Sequence, residues 1–372
     1  MAKLGGEYTI GRKVLRIAAL AFAAICQAFA FSPTQAVAGT ETSGQCWPES
    51  ALAFRPGEQI IRKHIAAARV PPPREDKGSL ASPAAIPSGA VRRVKLPPGS
   101  KKLIALTFDL CEQPHEISGY QGGIVDFLRA QKVKATFFAG GKWLMTHPER
   151  AGQLMSDPLF EIGNHGWEHR NLRIVSGSML AQEIEAPQRA YRILRAGLAE
   201  RQCVRPGDTV PAHQRAPESI RLFRFPYGAC DAKSLNAVAS AGLTAIQWDV
   251  SAGDPWPRRT ASPMIKGVLA QAQPGSIVIF HANGRGWHTE KALPQIVATL
   301  KARGYEFVTV SELLRAGEPV VESRCYDVRP GDTDRYDLAG RRFDTRSAKR
   351  AALRRAQAAP PDGGWPFDDA NR

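Results

Sequence analysis

The sequence predicts an α/β fold, a closed or nearly closed barrel of parallel strands joined by helices. Three observations predict it. From residue 101 onward, apolar runs of strand length alternate with helical patterns. Seven such runs occur, and each of the first six is followed by a helical pattern, as in a chain of parallel βα units. Reactive polar residues cluster where these runs end, and (β/α) barrels carry their chemistry at the carboxyl ends of their strands.

The strand-length runs span 103–108, 135–139, 160–164, 222–225, 244–249, 276–281 and 306–310. Helical periodicity covers 124–131, 148–155, 179–199, 232–241, 262–272 and 290–303. The barrel domain is therefore expected over 101–317. Residues 39–100 are rich in Pro, Ala, Ser and Arg, with Pro71-Pro72-Pro73 and Pro97-Pro98, and read as a linker or wrapping arm. Residues 318–372 lose the alternation and read as a basic, poorly ordered tail containing Pro and Gly.

The first 38 residues read as a secretory signal. Lys3, Arg12, Lys13 and Arg16 form a basic region, 17–31 is an almost uninterrupted apolar stretch, and Ala36-Val37-Ala38 offers small residues before Gly39. The apolar stretch is short for a membrane span. The expected product is periplasmic or secreted, with no stable membrane insertion after cleavage; an uncleaved anchor is the alternative. Cleavage removes Cys26 and leaves Cys46, Cys111, Cys203, Cys230 and Cys325, an odd set that allows at most two bridges in an oxidising compartment. The formal charge of +15 raises nucleic acid as a partner. No nucleic-acid motif accompanies it, and much of the excess lies near the N-terminus and in the Arg-rich tail. Contact with an anionic envelope, or simple solubility, accounts for it better.

Five short motifs carry chemistry. Asp109 closes the first run in Thr107-Phe108-Asp109, where a carboxylate serves as a general base or as a turn cap. His165 and His169 in His165-Gly166-Trp167-Glu168-His169 have the spacing that puts two imidazoles on one helical face, able to grip one metal ion. Arg224 opens Arg224-Phe225-Pro226-Tyr227-Gly228; its planar fork suits a carboxylate, and the Pro/Gly turn suits a backbone N–H aimed at an oxyanion. Asp249 and Asp254 follow the fifth run, and His281 ends the sixth. An acidic partner such as Asp254 raises the pKa of such a histidine and suits it to protonate a leaving amine; a satisfied core histidine is the plainer alternative.

Taken in order, these motifs resemble the NodB-homology polysaccharide deacetylases, carbohydrate esterase family 4, over about 101–317. Connecting text such as Ala135-Thr136-Phe137-Phe138 and Gly304-Tyr305-Glu306-Phe307-Val308-Thr309-Val310 adds to the likeness. The resemblance implies a distorted (β/α) barrel and a divalent metal, commonly zinc, on His165 and His169. It implies Asp109 as base, Arg224 as the residue that orients it, the backbone N–H of Tyr227 at the oxyanion, and His281 as acid tuned by Asp254. The implied substrate is an N-acetylated glycan, a chitooligosaccharide or peptidoglycan. One departure stands out: the family's second Asp, its third metal ligand, is Leu110 here. Glu112 is the favoured substitute, with Asp109 and Cys111 as alternatives. Cys111 and Cys230 flank the first and third motifs and are expected to form a disulfide, with Cys46–Cys325 as a second. Because of Leu110, two other readings accompany the deacetylase: a glycan-binding pseudoenzyme of the same fold, and a hydrolase of another non-peptide C–N bond.

Overall fold

A computed structural model describes residues 46–74, 89–201 and 210–338. The signal region, Cys26, Cys203 and residues 339–372 lie outside the described residues. Among the described residues no helix is long and apolar enough to cross a membrane.

Ten strands form one curled sheet: β1 (Ala90–Lys95), β2 (Lys102–Leu110), β3 (Ala135–Ala139), β4 (Phe160–Asn164), β5 (Leu222–Phe223), β6 (Thr244–Ile246), β7 (Val250–Ser251), β8 (Ile277–His281), β9 (Tyr305–Phe307) and β10 (Glu318–Glu322). Their order is β10-β1-β6-β5-β4-β3-β2-β8-β7, with β9 on the start of β2. All the pairings are parallel except β10 with β1. The run 244–251 joins β5 and β1 through its first half and β8 through its second, so the sheet turns back on itself. This is the expected distorted barrel.

The helices α1 (Gly122–Ala130), α2 (Gly141–Thr146), α3 (Pro148–Met155), α4 (Gly177–Arg201), α5 (Ala232–Ser240), α6 (Ala261–Gln271), α7 (Thr289–Ala302) and α8 (Val310–Arg315) connect and cover the strands. Side-chain parity divides β2 between two environments. Ile104, Leu106, Phe108 and Leu110 join the large core that includes Ile124 and Leu128 of α1 and Ile296 of α7. Thr107 and Asp109 take the opposite face. Thr107 Oγ1 donates to the Val278 carbonyl at 2.7 Å, and Asp109 lies opposite His281 in register.

Two expected boundaries move. The sheet begins at Ala90, inside the expected arm, because AVRRVK hides a strand behind two arginines. Arg92 is only 6% exposed. It donates to the carbonyls of Tyr326 (2.7 Å) and Asp327 (3.0 Å) and lies over the Tyr326 ring, which satisfies the buried cation. Residues 318–338 are not a loose tail either: β10 pairs with β1, and the chain beyond it is bound to the barrel.

The expected disulfides are also corrected. Cys230 is bridged to Cys325, so neither Cys111–Cys230 nor Cys46–Cys325 forms. Cys46 is itself disulfide-bonded, and Cys111 is a buried free thiol. The Cys230–Cys325 bridge ties the third motif, two residues past Gly228, to the chain three residues past β10. Peptide mapping without reduction is expected to recover a Cys230–Cys325 linked peptide and an unlinked Cys111. Because the bridge closes a loop of 95 residues, Cys325→Ser is expected to lower unfolding stability by about 2–4 kcal/mol in a denaturant titration. A Cys111–Cys230 peptide would contradict this pairing.

Candidate active site

The strand ends converge on a cavity of about 300 Å³. Asp109 at the end of β2 is 3% exposed. Its Oδ1 accepts from Arg224 Nη1 at 2.9 Å, and its Oδ2 lies 3.3 Å from His165 Nε2. Burial alone would raise the Asp109 carboxyl, but His165 and Arg224 outweigh it and hold it below the ordinary carboxylate range. Arg224 is fully buried. Besides Asp109 it donates to Thr107 Oγ1 (2.8 Å) and to the carbonyls of Ile246 (3.4 Å) and Gln247 (3.2 Å).

Across the parallel register, His281 ends β8 opposite Asp109. Its Nδ1 meets Asp254 Oδ1 at 2.9 Å, and its backbone N–H donates to Asp254 Oδ2 at 2.7 Å. Thr289 Oγ1 donates to the same Oδ2 at 2.8 Å, so Asp254 is held from three directions. Burial would lower the imidazole pKa, but Asp254 outweighs it and holds His281 above its ordinary value. Asp249, the other acid after the fifth run, faces the opposite end of β8: it accepts from Ser276 Oγ and the Ile277 N–H.

The two histidines come together, but not on a helix. Residues 165–170 form a loop in which Gly166 (φ +78°) and His169 (φ +58°) are left-handed. The rings lie 5.0 Å apart. The loop is shaped by Glu183 of α4, whose buried carboxylate accepts from the backbone N–H groups of Trp167 (3.0 Å), Glu168 (3.3 Å) and Arg170 (3.3 Å). Burial pushes this carboxyl up to about 7. Gly166 takes a left-handed conformation that glycine adopts freely, and a Cβ built there would lie 2.8 Å from Glu183 Oε2, so a side chain at 166 would make the carboxylate shift.

Cys111 Sγ, His165 and His169 each offer a ligand atom, all within 4.8 Å of one another. His165 Nδ1 is spent on the Arg224 carbonyl at 2.9 Å. This fixes the proton on Nδ1 and leaves a lone pair on Nε2. His165 Nε2 and His169 Nδ1 are buried without hydrogen-bond partners. Burial holds both imidazoles below their ordinary pKa, in the neutral form that binds metal. A lone pair facing a carboxylate oxygen, with a sulfur beside them, is a donor set that fits a divalent cation.

Glu112, the favoured third ligand, is not brought to this group. It is two residues past Leu110 and turns the same way, with its Oε2 accepting from Thr146 Oγ1 (2.9 Å) and the Ser118 N–H (3.2 Å) and Oε1 3.7 Å from Lys142 Nζ. Cys111, two residues past Asp109, takes the cleft side. Glu112 and Cys111 both lie just past the end of β2, where strand alternation does not assign them. Tyr227 (φ +62°) sits on the left-handed turn of the third motif, its ring 4.4 Å from that of His169. Tyr336 also lines the cavity, from a segment that sequence reasoning placed in the tail.

The polysaccharide deacetylase family model matches residues 97–206. A peptidoglycan-N-acetylglucosamine deacetylase of Bacillus cereus is 30% identical over 59% of this chain and 91% of its own length. A chitooligosaccharide deacetylase of Azorhizobium caulinodans is 29% identical over 54% of this chain and 90% of its own. A peptidoglycan-N-acetylglucosamine deacetylase of Listeria monocytogenes is 30% identical over 72% of this chain, which spans about half (51%) of that relative. A solved peptidoglycan N-acetylglucosamine deacetylase superposes with a TM-score of 0.49 at 25% identity, covering 62% of this chain and 94% of that one.

The hold of Glu183 on the histidine loop has a measurable consequence. Glu183→Ala is expected to weaken divalent-cation binding about 10–100-fold in a chelator competition, the usual cost of losing a group that orients metal ligands. Glu183→Gln, which keeps an acceptor oxygen, is expected to lose much less. Equal, unchanged affinities would show that the loop holds its shape without Glu183.

Proposed function

Because this chain belongs to the polysaccharide deacetylase family, we propose that it is a metal-dependent hydrolase that removes acetyl groups from N-acetylated glycans. One observation carries the reading. Asp109 and His281 are register partners on adjacent strands, each with its own charge partner, Arg224 for one and Asp254 for the other. A base held ionised and an acid held protonated, a strand apart, is the arrangement amide hydrolysis requires.

Cys111, His165 and His169 would hold one divalent cation, and two imidazoles with a thiolate are ligands that zinc accepts. Bound there, the cation supplies a Lewis acid for the acetamide carbonyl and lowers the pKa of a water. The chain's own groups do the rest. Asp109, oriented by Arg224, takes the proton of the attacking water. The backbone N–H of Tyr227 donates to the oxygen that gains charge as the carbonyl becomes tetrahedral. His281 gives its proton to the departing amine, and Asp254 stabilises the imidazolium until then. The pseudoenzyme alternative rested on Leu110, and it loses that support once Cys111 is the third donor.

The B. cereus and A. caulinodans relatives are named for peptidoglycan and chitooligosaccharide respectively, and both are glycans bearing N-acetylglucosamine. The substrate proposed for this chain is that shared unit. The Cys230–Cys325 bridge supports an exported, oxidising location.

An acetate-release assay on chitin oligomers and peptidoglycan tests the activity. Asp109→Asn is expected to lower the rate by about 10²–10⁴; acetate release at the parent rate would remove Asp109 as the base. The acid has its own signature. His281 works protonated, so activity falls as pH rises through its raised pKa. Asp254→Asn removes the cause of that rise and is expected to move the alkaline limb to lower pH by about one unit or more. An alkaline limb that stays in place would separate it from His281.

The ligand set is read without turnover. Cobalt-substituted protein is expected to show a near-ultraviolet sulfur-to-metal charge-transfer band that Cys111→Ser abolishes, while His165→Ala lowers the bound metal. Retention of the band in Cys111→Ser would exclude the thiolate.

A further inference from the structure

The cavity's volume, about 300 Å³, lies at the small end for ligand sites and suits one sugar ring. Neighbouring sugars of a glycan must then lie on its rim. One part of that rim comes from residues 324–337, beyond the last strand of the barrel. This segment is pinned along its length. Cys325 is bridged to Cys230, two residues past Gly228 of the third motif. Arg92 holds the carbonyls of Tyr326 and Asp327, and Trp248 Nε1 donates to Asp327 Oδ1 at 3.1 Å. Asp332 accepts from the backbone N–H groups of Asp327, Val328 and Arg329 at 2.8–2.9 Å, which closes a tight turn. Arg173, from the loop after the histidines, donates to Asp334 Oδ1 (2.9 Å), the Thr333 carbonyl (2.9 Å) and Asp337 Oδ1 (3.0 Å).

Tyr336 of this segment and Trp256, two residues past Asp254, line the cavity, and Arg335 lies against both rings. The Tyr336 ring lies 5.0 Å from that of Tyr227, whose other neighbour is His169. Arg335 stacks on Tyr336 (4.8 Å), donates to its hydroxyl (3.1 Å) and lies 5.6 Å from the ring of Trp256. Trp256 is 56% exposed, more than is usual for a tryptophan. Trp256, Arg335 and Tyr336 therefore make a row of aromatic face, cation and aromatic face on the rim.

We propose that this row is a subsite for the sugar next to the one being deacetylated, and that the post-barrel segment is a substrate-binding wall. The proposal rests on the glycan reading above and names what extends it. Aromatic faces pack against the C–H face of a pyranose ring. Guanidinium and phenol groups hydrogen-bond its hydroxyls. The ligand class is an uncharged, hydroxyl-rich sugar ring joined to the acetylated one. The pins mean that the wall is built before substrate arrives, so little ordering cost falls on binding.

The test is equilibrium binding by calorimetry in the full-length Asp109→Asn protein, with N-acetylglucosamine and its tetramer as probes. Tyr336→Ala and, separately, Trp256→Ala are each expected to weaken the tetramer about tenfold, a typical value for losing one stacked ring. Monomer affinity and bound metal should stay unchanged, while Tyr336→Phe keeps most of the tetramer affinity. Tetramer affinity unmoved by both alanine variants would overturn the proposal, and so would a parent protein that binds the tetramer no better than the monomer. If the alanine variants lose tetramer binding while the unmodified protein releases no acetate, the wall stands and the deacetylase reading falls.

Discussion

The buried guanidinium of Arg224 is the joint on which the site depends. It lies between the rings of Phe138 (4.0 Å) and Trp248 (5.4 Å), with no exposure to solvent. Through its side chain it ties β2, by Thr107 and Asp109, to the run after β5, by the carbonyls of Ile246 and Gln247. Through its backbone it ties β4: its N–H donates to the Asn164 carbonyl at 2.8 Å, and its carbonyl accepts from His165. Asp109, His165 and sheet closure thus meet at one residue. A charge in that position persists only because every direction of its fork is met, and removing a partner from such a pair typically costs about 3–5 kcal/mol.

That joint explains why some of the site was legible in the sequence and some was not. Asp109, Arg224, Asp254 and His281 stand at strand ends, and strand ends are visible as apolar runs that stop. Their pairing follows from parallel register, which the βα alternation already implied. The AVRRVK strand was hidden because alternation counts an arginine as outward, whereas Arg92 points inward to carbonyls brought from 234 and 235 residues away. No local pattern carries such a partner. The post-barrel segment was hidden for the same reason: its ties are a disulfide and arginine forks, not an apolar face.

The metal group shows a different failure. Spacing of four suggested a helical face for His165 and His169, yet the loop brings them together through two left-handed residues and the acceptor oxygens of Glu183. Spacing constrains which pairs can meet, and several backbones satisfy it. For the third donor the sequence held no comparable signal: Cys111 and Glu112 both lie past the end of β2 at Leu110, where the strand's two-residue period no longer applies. A leucine in place of an acid looks like a lost ligand only if that position must face the metal. Here it faces the helical layer beside Ile124 and Leu128.

Cysteine at 111 raises a further question, since a thiol near oxidised partners invites exchange. Burial answers it. Cys111 is only 3% exposed, so a disulfide in solution has no access to its sulfur. Asn283 Nδ2 then fixes the residue from two sides, donating to its carbonyl at 2.7 Å and to Sγ at 3.0 Å. The sulfur lies within ligand distance of both histidines, and Cys230, the bridge partner expected for it, is bound to Cys325. The Cys230–Cys325 bridge therefore does two things at once: it anchors the wall of the cleft, and it leaves Cys111 as the free sulfur at the centre. Breaking that bridge would free one tie of the segment whose Tyr336 lines the cavity.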